Sequence, residues 1–112
     1  MSTFEHEMEK GNFVCSECQK CNKLVWPPND FCNTCFGKVR WRPVSKMARV
    51  IEFSRRENVI FCVAEFENSI RVMGSVESAS GQITLGEKIK LVKCEFNGKE
   101  KFIFQTERSE KP

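Results

Sequence analysis

From residue 47 to residue 106, apolar and polar side chains alternate in five short runs that turn residues separate. A period of two is typical of β-strands that have one face on a core. The predicted strands are residues 47–55, 59–66, 69–77, 87–96 and 100–106. Five short strands, with a longer connection over residues 78–87, predict a small antiparallel barrel, and the OB-fold is the most economical choice.

Two local features refine this barrel. Asn97-Gly98 stands between the last two runs, and this dipeptide is a strong hairpin signal because both residues accept positive φ. In the fourth run the apolar phase shifts between Leu91 and Val92, which indicates a β-bulge. We therefore expect the fourth and fifth strands to pair antiparallel, with a bulge in the fourth.

The second run is apolar on both of its faces. Val59, Phe61 and Val63 alternate with a second apolar set, which is Ile60, Cys62, Ala64 and Phe66. A barrel strand in contact with water should carry one polar face, so we expect something to cover the second face. Either the ribbon of this chain or a partner protein could do so, and Phe61 is the candidate interface residue.

The N-terminal segment predicts a short helix. Ser2 and Glu5 match a capping box, and Gly11 is a suitable stop. Phe4 and Met8 lie on one face of this helix. The favoured interpretation docks that face on the chain's own core, and a partner surface is the alternative.

The predicted organisation has four parts. A helix occupies residues 1–12, a rubredoxin-like zinc ribbon 13–43, and the OB-fold barrel 44–106. The last segment, 107–112, has no apolar residue and is expected to be a disordered tail. The fold class is therefore mainly β.

Composition limits the size and class of the protein. The chain has 112 residues, 40% of them hydrophobic, which is typical of a globular protein with room for a small module and a compact barrel. The net charge of +3 is mild, and acidic residues are interleaved with basic ones, so charge alone does not indicate nucleic-acid binding. No apolar run approaches the roughly 20 residues of a membrane span, and the acidic N-terminus is unlike a signal peptide. We expect a cytoplasmic protein with no membrane contact.

Residues 15–35 hold five of the seven cysteines. An odd count in Cys-x-x-Cys spacing favours metal thiolates over disulfides. Cys32 and Cys35 form the second pair. The first pair is either Cys15 with Cys18, or Cys18 with Cys21.

The residues that follow each pair decide between these choices. A metal knuckle often needs a left-handed backbone just after its second cysteine, and Gly or Asn suits that position. Asn22 follows the second cysteine of one choice, whereas Gln19 follows that of the other. On the far side, Gly37 lies two residues after the last cysteine of the motif. The predicted ligands are therefore Cys18, Cys21, Cys32 and Cys35, and Cys15 is left over.

Four thiolates in a tetrahedron suit zinc best and a single iron second. A closed four-sulfur shell leaves no position for water or substrate, so the site is predicted to be structural. Cys62 and Cys94 lie in strand patterns, where Cys acts as a small apolar residue. Cys15 has no base beside it and His6 is the only histidine, so we predict no catalytic residue and no enzyme activity.

The chain from "VWPPNDFCNTC" through "VRWRPVS" to "ITLGEKIKLVKCEF" resembles the two-part family of zinc-ribbon plus OB-fold proteins associated with acyl-CoA metabolism, a domain-of-unknown-function type. The resemblance covers nearly the whole chain. The family pattern falls on Cys18, Cys21, Pro27, Pro28, Cys32, Cys35, Trp41 and Ser45. Asn22 stands where the family has Gly, and "VSKMARV" replaces its usual glycine-flanked start of the barrel.

This resemblance implies a non-catalytic partner of thiolase-type enzymes that binds zinc and acyl-CoA. Similar archaeal proteins bridge an acetoacetyl-CoA thiolase and a hydroxymethylglutaryl-CoA synthase at the start of the mevalonate pathway, and they help to form the CoA site. The expected partners are therefore a thiolase-type enzyme, hydroxymethylglutaryl-CoA synthase, and coenzyme A or acyl-CoA.

Basic residues between the ribbon and the first barrel turn are candidates for contact with the phosphates of CoA. Aromatic neighbours such as Trp26, Phe36 and Trp41 could contact its adenine or pantetheine. The candidate CoA site consists of Trp26, Lys38, Arg40, Arg42, Lys46 and Arg49. The alternative interpretation is that the cations are solvated and that the Trp residues pack the ribbon against the barrel.

Two other functions compete with this one. Ribbons and OB barrels also bind nucleic acids, but Arg71 is the only basic residue of "VIFCVAEFENSIRV", and Glu65 and Glu67 oppose phosphate there. Nucleic-acid binding is therefore the weaker alternative. Electron transfer by a rubredoxin-like iron site is the third possibility.

Overall fold

The computed structural model describes residues 2–78 and 81–106. Within these residues it has one helix and eight strands: α1 (Thr3–Glu9), β1 (Val14–Cys18), β2 (Leu24–Val25), β3 (Val39–Pro43), β4 (Met47–Arg56), β5 (Val59–Phe66), β6 (Ile70–Glu77), β7 (Lys88–Phe96) and β8 (Glu100–Thr106). The predicted tail, 107–112, lies outside the described residues. Over the described ranges, no helix is long and apolar enough to cross a membrane.

Helix α1 begins and ends where its local signals predict. The Ser2 side chain accepts a hydrogen bond from the Glu5 amide at 3.2 Å, and the Ser2 amide donates to Glu5 Oε1 at 3.2 Å. At the other end Gly11 adopts φ +87° and donates its N–H to the Met8 carbonyl at 2.9 Å. The capping box and the glycine stop are both confirmed.

Strands β1, β2 and β3 form the ribbon, a small antiparallel sheet in the order β2-β1-β3. Cys18 lies opposite Val39 at one end of the β1–β3 pair, and Val14 lies opposite Pro43 at the other end. The ribbon therefore carries the cysteine motif at one end and continues into the barrel at the other.

The five predicted barrel strands form β4 to β8, a closed barrel in the order β4-β5-β6-β8-β7. All neighbouring pairs are antiparallel except β6 with β8, which is parallel. The predicted OB-like fold with an attached ribbon is confirmed, and the strand ranges differ from the prediction by at most one residue at each end.

The two predicted irregularities of the barrel are present. The β7–β8 register shifts between Leu91 and Lys93, which confirms the bulge. The hairpin between these strands contains Gly98 at φ +82°, while Asn97 keeps a negative φ. A second bulge lies between Val50 and Glu52 of β4. It was not predicted, although the adjacent apolar pair Val50-Ile51 carries the same phase shift as Leu91-Val92.

Gly74 allows the barrel to close. A Cβ atom at this position would lie 2.5 Å from the Phe102 carbonyl oxygen and 2.6 Å from the ring of Phe104. The parallel β6–β8 pairing begins at the next residue, where Ser75 lies opposite Ile103. Only glycine permits so close an approach of the two strands.

An aromatic cluster joins the helix, the ribbon and the barrel in one core. The ring of Phe13 lies edge-on to Phe66 and Phe102, with centroids 5.2 and 5.0 Å away, and Phe4 lies edge-on to Trp26 at 5.8 Å. Such pairs add to the stabilisation from burial. Cys62 and Cys94 are also buried in this core, as predicted.

The position of α1 corrects one candidate assignment. Phe4 and Met8 were considered as partner-interface residues, but both are buried against the chain's own core. The helix covers the barrel beside β7 and the start of β1. The favoured interpretation of this face is therefore the observed one, and these two side chains leave little surface for a partner.

Three charged residues, which we call the ribbon–barrel joint, tie β3 to the barrel: Glu17, Arg42 and Glu67. The Arg42 guanidinium donates to both carboxylate oxygens of Glu67, at 3.0 and 2.6 Å, and its Nε lies 3.4 Å from Glu17. Glu67 also accepts from the Ser45 amide at 2.9 Å. A bidentate pair of this kind restricts orientation as well as distance.

We expect Glu67→Gln to lower the free energy of unfolding by about 1 kcal/mol. Hydrogen bonds from Arg42 hold the pKa of Glu67 below its ordinary value of 4.5. A depressed pKa contributes stability that is present above the unfolded-state pKa and is lost as pH falls through the folded-state pKa. The Gln variant should therefore lose less stability between neutral and acid pH than the wild type does.

Urea unfolding at about pH 7 and about pH 3 measures this difference. Glu65→Gln is the matched control, because Glu65 is buried to a similar extent but pairs within the barrel with Arg71. Equal pH dependence in the wild type and in Glu67→Gln would contradict the role of the joint.

Candidate functional site

The structure brings together the four cysteines that the spacing predicts. The Sγ atoms of Cys18, Cys21, Cys32 and Cys35 all lie within 4.8 Å of one another. The separation is 3.4 Å between Cys18 and Cys35 and 3.7 Å between Cys21 and Cys32. Zn–S bonds of about 2.3 Å in a tetrahedron separate the sulfurs by about 3.8 Å, so these residues fit such an ion. Cys15 is not part of the cluster and is buried in the main core.

Two equivalent backbone turns, here called knuckles, present these sulfurs. In the first knuckle (residues 18–23), the Lys20 amide donates to Cys18 Sγ at 3.3 Å. In the second knuckle (residues 32–37), the Thr34 amide donates to Cys32 Sγ at 3.4 Å. The fifth residue of each turn donates to the carbonyl of its first cysteine, at 3.0 and 2.9 Å respectively.

The left-handed residues of the two knuckles are Asn22, at φ +62°, and Phe36, at φ +60°. Asn22 was predicted, but on the second side the expected residue was Gly37, which has no positive φ. Gly37 serves a different purpose, because a Cβ there would lie 3.2 Å from Cys18 Sγ and 3.3 Å from Cys35 Sγ. Its missing side chain gives the sulfurs room to converge.

Backbone amides favour the thiolate form of two ligands. Hydrogen bonds from the amides of Cys35 and Thr34 lower the pKa of Cys32 to about 6. The amide of Cys21 and then that of Lys20 lower the pKa of Cys18. At Cys35 the Gly37 amide also lowers the pKa, but the neighbouring sulfurs and burial outweigh it and raise the pKa to about 11. A bound cation replaces protons at such a site, so binding is coupled to proton release.

The geometry does not make Cys15 an accessible nucleophile. Cys15 is fully buried, and burial raises the pKa of its thiol. His6 is exposed on α1. The arrangement can hold a metal ion in a closed shell, which is a structural role.

The six candidate CoA residues do not form one site. Arg40 contacts Glu17 at 3.2 Å and Asn22 at 3.1 Å, and Arg42 belongs to the ribbon–barrel joint. Trp26 is half-buried in the aromatic cluster, while Lys38 is exposed at the ribbon end. Packing and internal pairing therefore account for three of the six.

A cleft of about 510 Å³ lies between α1, β3 and β7, and part of the candidate CoA set lines it. We call it the helix–β7 cleft. Trp41, Arg42 and Lys46 line it together with Val92 and Lys93. An aromatic ring and several cations thus face one cavity.

A basic strip continues from this cleft along the outside of the barrel, and it consists of Lys46, Arg49, Lys88 and Lys90. Lys88 lies directly opposite Arg49 in the β4–β7 pair, and Lys90 lies opposite Met47. Like charges directly opposite each other are destabilising, and none of the four makes an ion pair within the described ranges. Arg49 does donate to the Gly86 carbonyl at 3.0 Å.

Three further cations at this surface, Lys88, Lys90 and Lys93, were not among the predicted site residues. Their signal was present in "EKIKLVK", where alternation directs Lys88 and Lys90 outward. Their closeness to Arg49 and Lys46 depends on strand register, which alternation alone does not specify.

Phe61 lies on the outer face of β5 and is half-buried. It borders a second cleft of about 670 Å³, here called the barrel-face cleft, with Trp26, Pro27, Pro28 and Met73. Residues of the ribbon thus border one side of Phe61. Met73, opposite Val63 in β6, remains 67% exposed, and Phe53 is also exposed. The ribbon therefore covers this face only in part.

Arg71, the basic residue of β5 and β6, pairs with Glu65 at 2.9 Å. The basic residue on these two strands therefore already has a carboxylate beside it. The observation adds nothing in favour of a nucleic-acid function.

Comparison with solved structures shows that the fold is shared with DUF35 proteins. A chain of the Ltp2-ChsH2(DUF35) aldolase is similar over 92% of this chain and 91% of that chain, with a TM-score of 0.71 and 15% identity. A DUF35-family protein of unknown function from Sulfolobus solfataricus is similar over 89% of this chain and 81% of that one, with a TM-score of 0.63 and 20% identity. No protein-family model and no curated protein sequence matches the chain. At these identities the likeness establishes the architecture.

Cys32→Ser should lose the metal, whereas Cys15→Ser should retain it, because only the former removes a sulfur from the cluster. Structural cysteine sites contribute folding energy directly. We therefore expect loss of the ribbon's ordered backbone with little change in the β-sheet signal of the barrel. Atomic emission on the purified variants measures the metal, and circular dichroism follows the barrel. Equal metal content in the two variants would refute the ligand assignment.

Proposed function

We propose that this protein is a non-catalytic, zinc-binding subunit of the DUF35 type that binds acyl-CoA and associates with a thiolase-type enzyme. The observation that carries the proposal is the architecture shared over nine-tenths of both chains with a DUF35 chain that is part of an aldolase together with Ltp2. That assembly is a property of the other protein. For this chain, association with another protein is supported by basic and apolar surfaces that its own residues leave exposed.

Zinc is the metal that the ligand chemistry supports best. Four thiolates, sulfur separations of 3.4 and 3.7 Å, and amide hydrogen bonds to the sulfurs are typical of structural zinc. Cys18, Cys21, Cys32 and Cys35 would hold the ion, and its role would be to stabilise the two knuckles. A closed shell supplies no Lewis acid for a substrate.

The absence of enzyme activity is the second part of the proposal. It is supported by the closed sulfur shell and by the burial of Cys15, whose neighbouring carboxylates, Glu17 and Glu67, are paired with Arg42. Any acyl transfer would then take place in the partner enzyme. All seven cysteines are free thiols, which suits a reducing compartment and supports a cytoplasmic location.

Acyl-CoA binding is proposed for the basic strip and the helix–β7 cleft. Coenzyme A carries a diphosphate and a separate 3′-phosphate, and a row of unpaired cations is suited to such a ligand. Arg49, Lys88 and Lys90 would contact phosphate oxygens, since their mutual repulsion is relieved by an anion. Trp41 and Lys46 in the adjoining cleft would contact the adenine or the pantetheine.

The partner surface is proposed for the barrel face around Phe61. Phe53, Val59 and Met73 add exposed apolar area beside it, and interface cores combine such area with a polar rim. The resemblance seen in the sequence gives the partner class, which is an acetoacetyl-CoA thiolase acting with a hydroxymethylglutaryl-CoA synthase in the mevalonate pathway.

Lys90→Glu should weaken CoA binding by about tenfold, because it removes one phosphate contact and introduces a repulsive charge. Isothermal titration of the purified protein measures the affinity. Dephospho-CoA, which lacks the 3′-phosphate, should bind more weakly than CoA. Lys23→Glu is the matched control, since Lys23 is an exposed lysine of the ribbon. Equal affinities for both ligands and for both variants would contradict the proposed strip.

Phe61→Glu should abolish co-purification with a thiolase-type partner while zinc content and folding stay near normal. Met73→Glu should have the same effect with less risk to the fold, because Met73 is more exposed. Leu85→Glu alters another exposed apolar residue and should leave the complex intact. Retained co-purification of Phe61→Glu and Met73→Glu would contradict the interface. If Phe61→Glu alone unfolded, Phe61 would be a packing residue of the monomer.

A further inference from the structure

The two knuckles share one backbone geometry but differ in surface chemistry. In each, the N–H of the first cysteine donates to the carbonyl five residues later, at 2.9 Å. Residues 18–23 are therefore structurally equivalent to residues 32–37. Features that the two knuckles share are those that the metal site requires, whereas side chains that differ between them are not required by it.

The required left-handed position holds Asn22 in the first knuckle and Phe36 in the second. Asn tolerates this conformation because its short polar side chain bonds locally, whereas a bulky residue at positive φ is an outlier. Phe36 is also 79% exposed. The metal site gains nothing from this ring, since Asn at the equivalent position satisfies the same backbone.

The residue before each first cysteine shows the same contrast. Glu17 precedes Cys18 and pairs with Arg40 and Arg42. Phe31 precedes Cys32 and is 52% exposed. The second knuckle thus carries two exposed aromatic residues where the first carries polar ones. Strain and exposed apolar surface that folding does not require indicate a functional contact.

Lysines border the aromatic pair. Lys38 forms a β-bridge with Phe31, and the Cβ of Lys20 lies next to Gly37. Residues 18–39 contain three Lys and a single Asp, which is Asp30. An apolar pocket with carboxylates on its rim complements such a surface.

We propose that the second knuckle is a protein-docking surface, in which Phe36 and Phe31 enter an apolar, acid-rimmed pocket of another protein. This surface is separate from the barrel face around Phe61 and from the basic strip. It does not depend on the function proposed above. The chain would then present one contact surface on its ribbon in addition to any on its barrel.

Phe36→Asn gives the second knuckle the residue type that the first knuckle has at the equivalent position. It therefore tests whether folding and metal binding need the Phe36 ring. We expect unchanged metal content and a Tm that is unchanged or a few degrees higher. A Tm lower by more than about 4 °C would show that the ring supports the fold, and it would overturn the proposal. CoA affinity should be unaffected and reports on the basic strip separately.

Photocrosslinking tests the docking itself. A benzoylphenylalanine probe is placed at position 36 in one variant and at position 61 in another, in cells of the source organism. We expect a discrete protein adduct at position 36. The adduct protein, purified and recombined with this chain, should lose affinity by about tenfold or more with Phe36→Asn and with Lys38→Glu. Leu85→Asn, which removes an exposed apolar residue outside both proposed contact surfaces, should leave that affinity unchanged.

The absence of a protein adduct at position 36 would overturn the proposal, whatever position 61 captures. It would also be overturned if Phe36→Asn left the affinity of the recombined pair unchanged. Co-sedimentation with phosphatidylserine vesicles that depends on Phe36, without a protein adduct, would assign the surface to a membrane instead. An adduct at position 61 tests the proposed thiolase-type partner independently.

Discussion

The convergence of four sulfurs is the constraint on which the ribbon, and the two clefts that it lines, depend. The ribbon end has almost no apolar core of its own, since its buried cluster contains only Val25 besides Cys18 and Cys32. Burial of so little surface does not offset the entropy of ordering the segment. The knuckles need a metal–thiolate site to hold them, and the ribbon then places Trp41 and Arg42 on one cleft and Trp26 on the other.

A second constraint connects that ribbon to the barrel. Phe13 lies against Phe66 and Phe102, and the Arg42–Glu67 pair lies at the same junction. The aromatic contacts bury apolar surface there, while the charged pair restricts orientation. The barrel closes independently through the β6–β8 pairing at Gly74. Metal loss should therefore affect the ribbon first and the barrel much less.

Patterns within a short stretch predicted the local structure well. Alternation located all five barrel strands, Asn97-Gly98 located the hairpin, and cysteine spacing with Asn22 selected the four clustered sulfurs. Contacts between distant residues were not predictable in the same way. Glu67 pairs with Arg42 across 25 positions, and Lys88 faces Arg49 because of a register that alternation does not specify. The predicted CoA site therefore combined a residue of the ribbon–barrel joint, Arg42, with cations that make no ion pair within the described residues, such as Lys46 and Arg49.

Three surface features of this chain are less favourable for the isolated monomer than other residues at the same positions would be. Phe36 is a bulky residue in a left-handed conformation. Arg49 lies opposite Lys88, while Glu65 on its other side pairs with Arg71. Met73 adds apolar surface to the barrel face. For Phe36, a residue better suited to an isolated monomer stands at the equivalent position of the first knuckle, which is Asn22. Features of this kind become favourable when a ligand or another protein covers them. Their number on so small a protein is what we expect of a subunit whose stable surroundings include other molecules, and it supports assembly over an independent role.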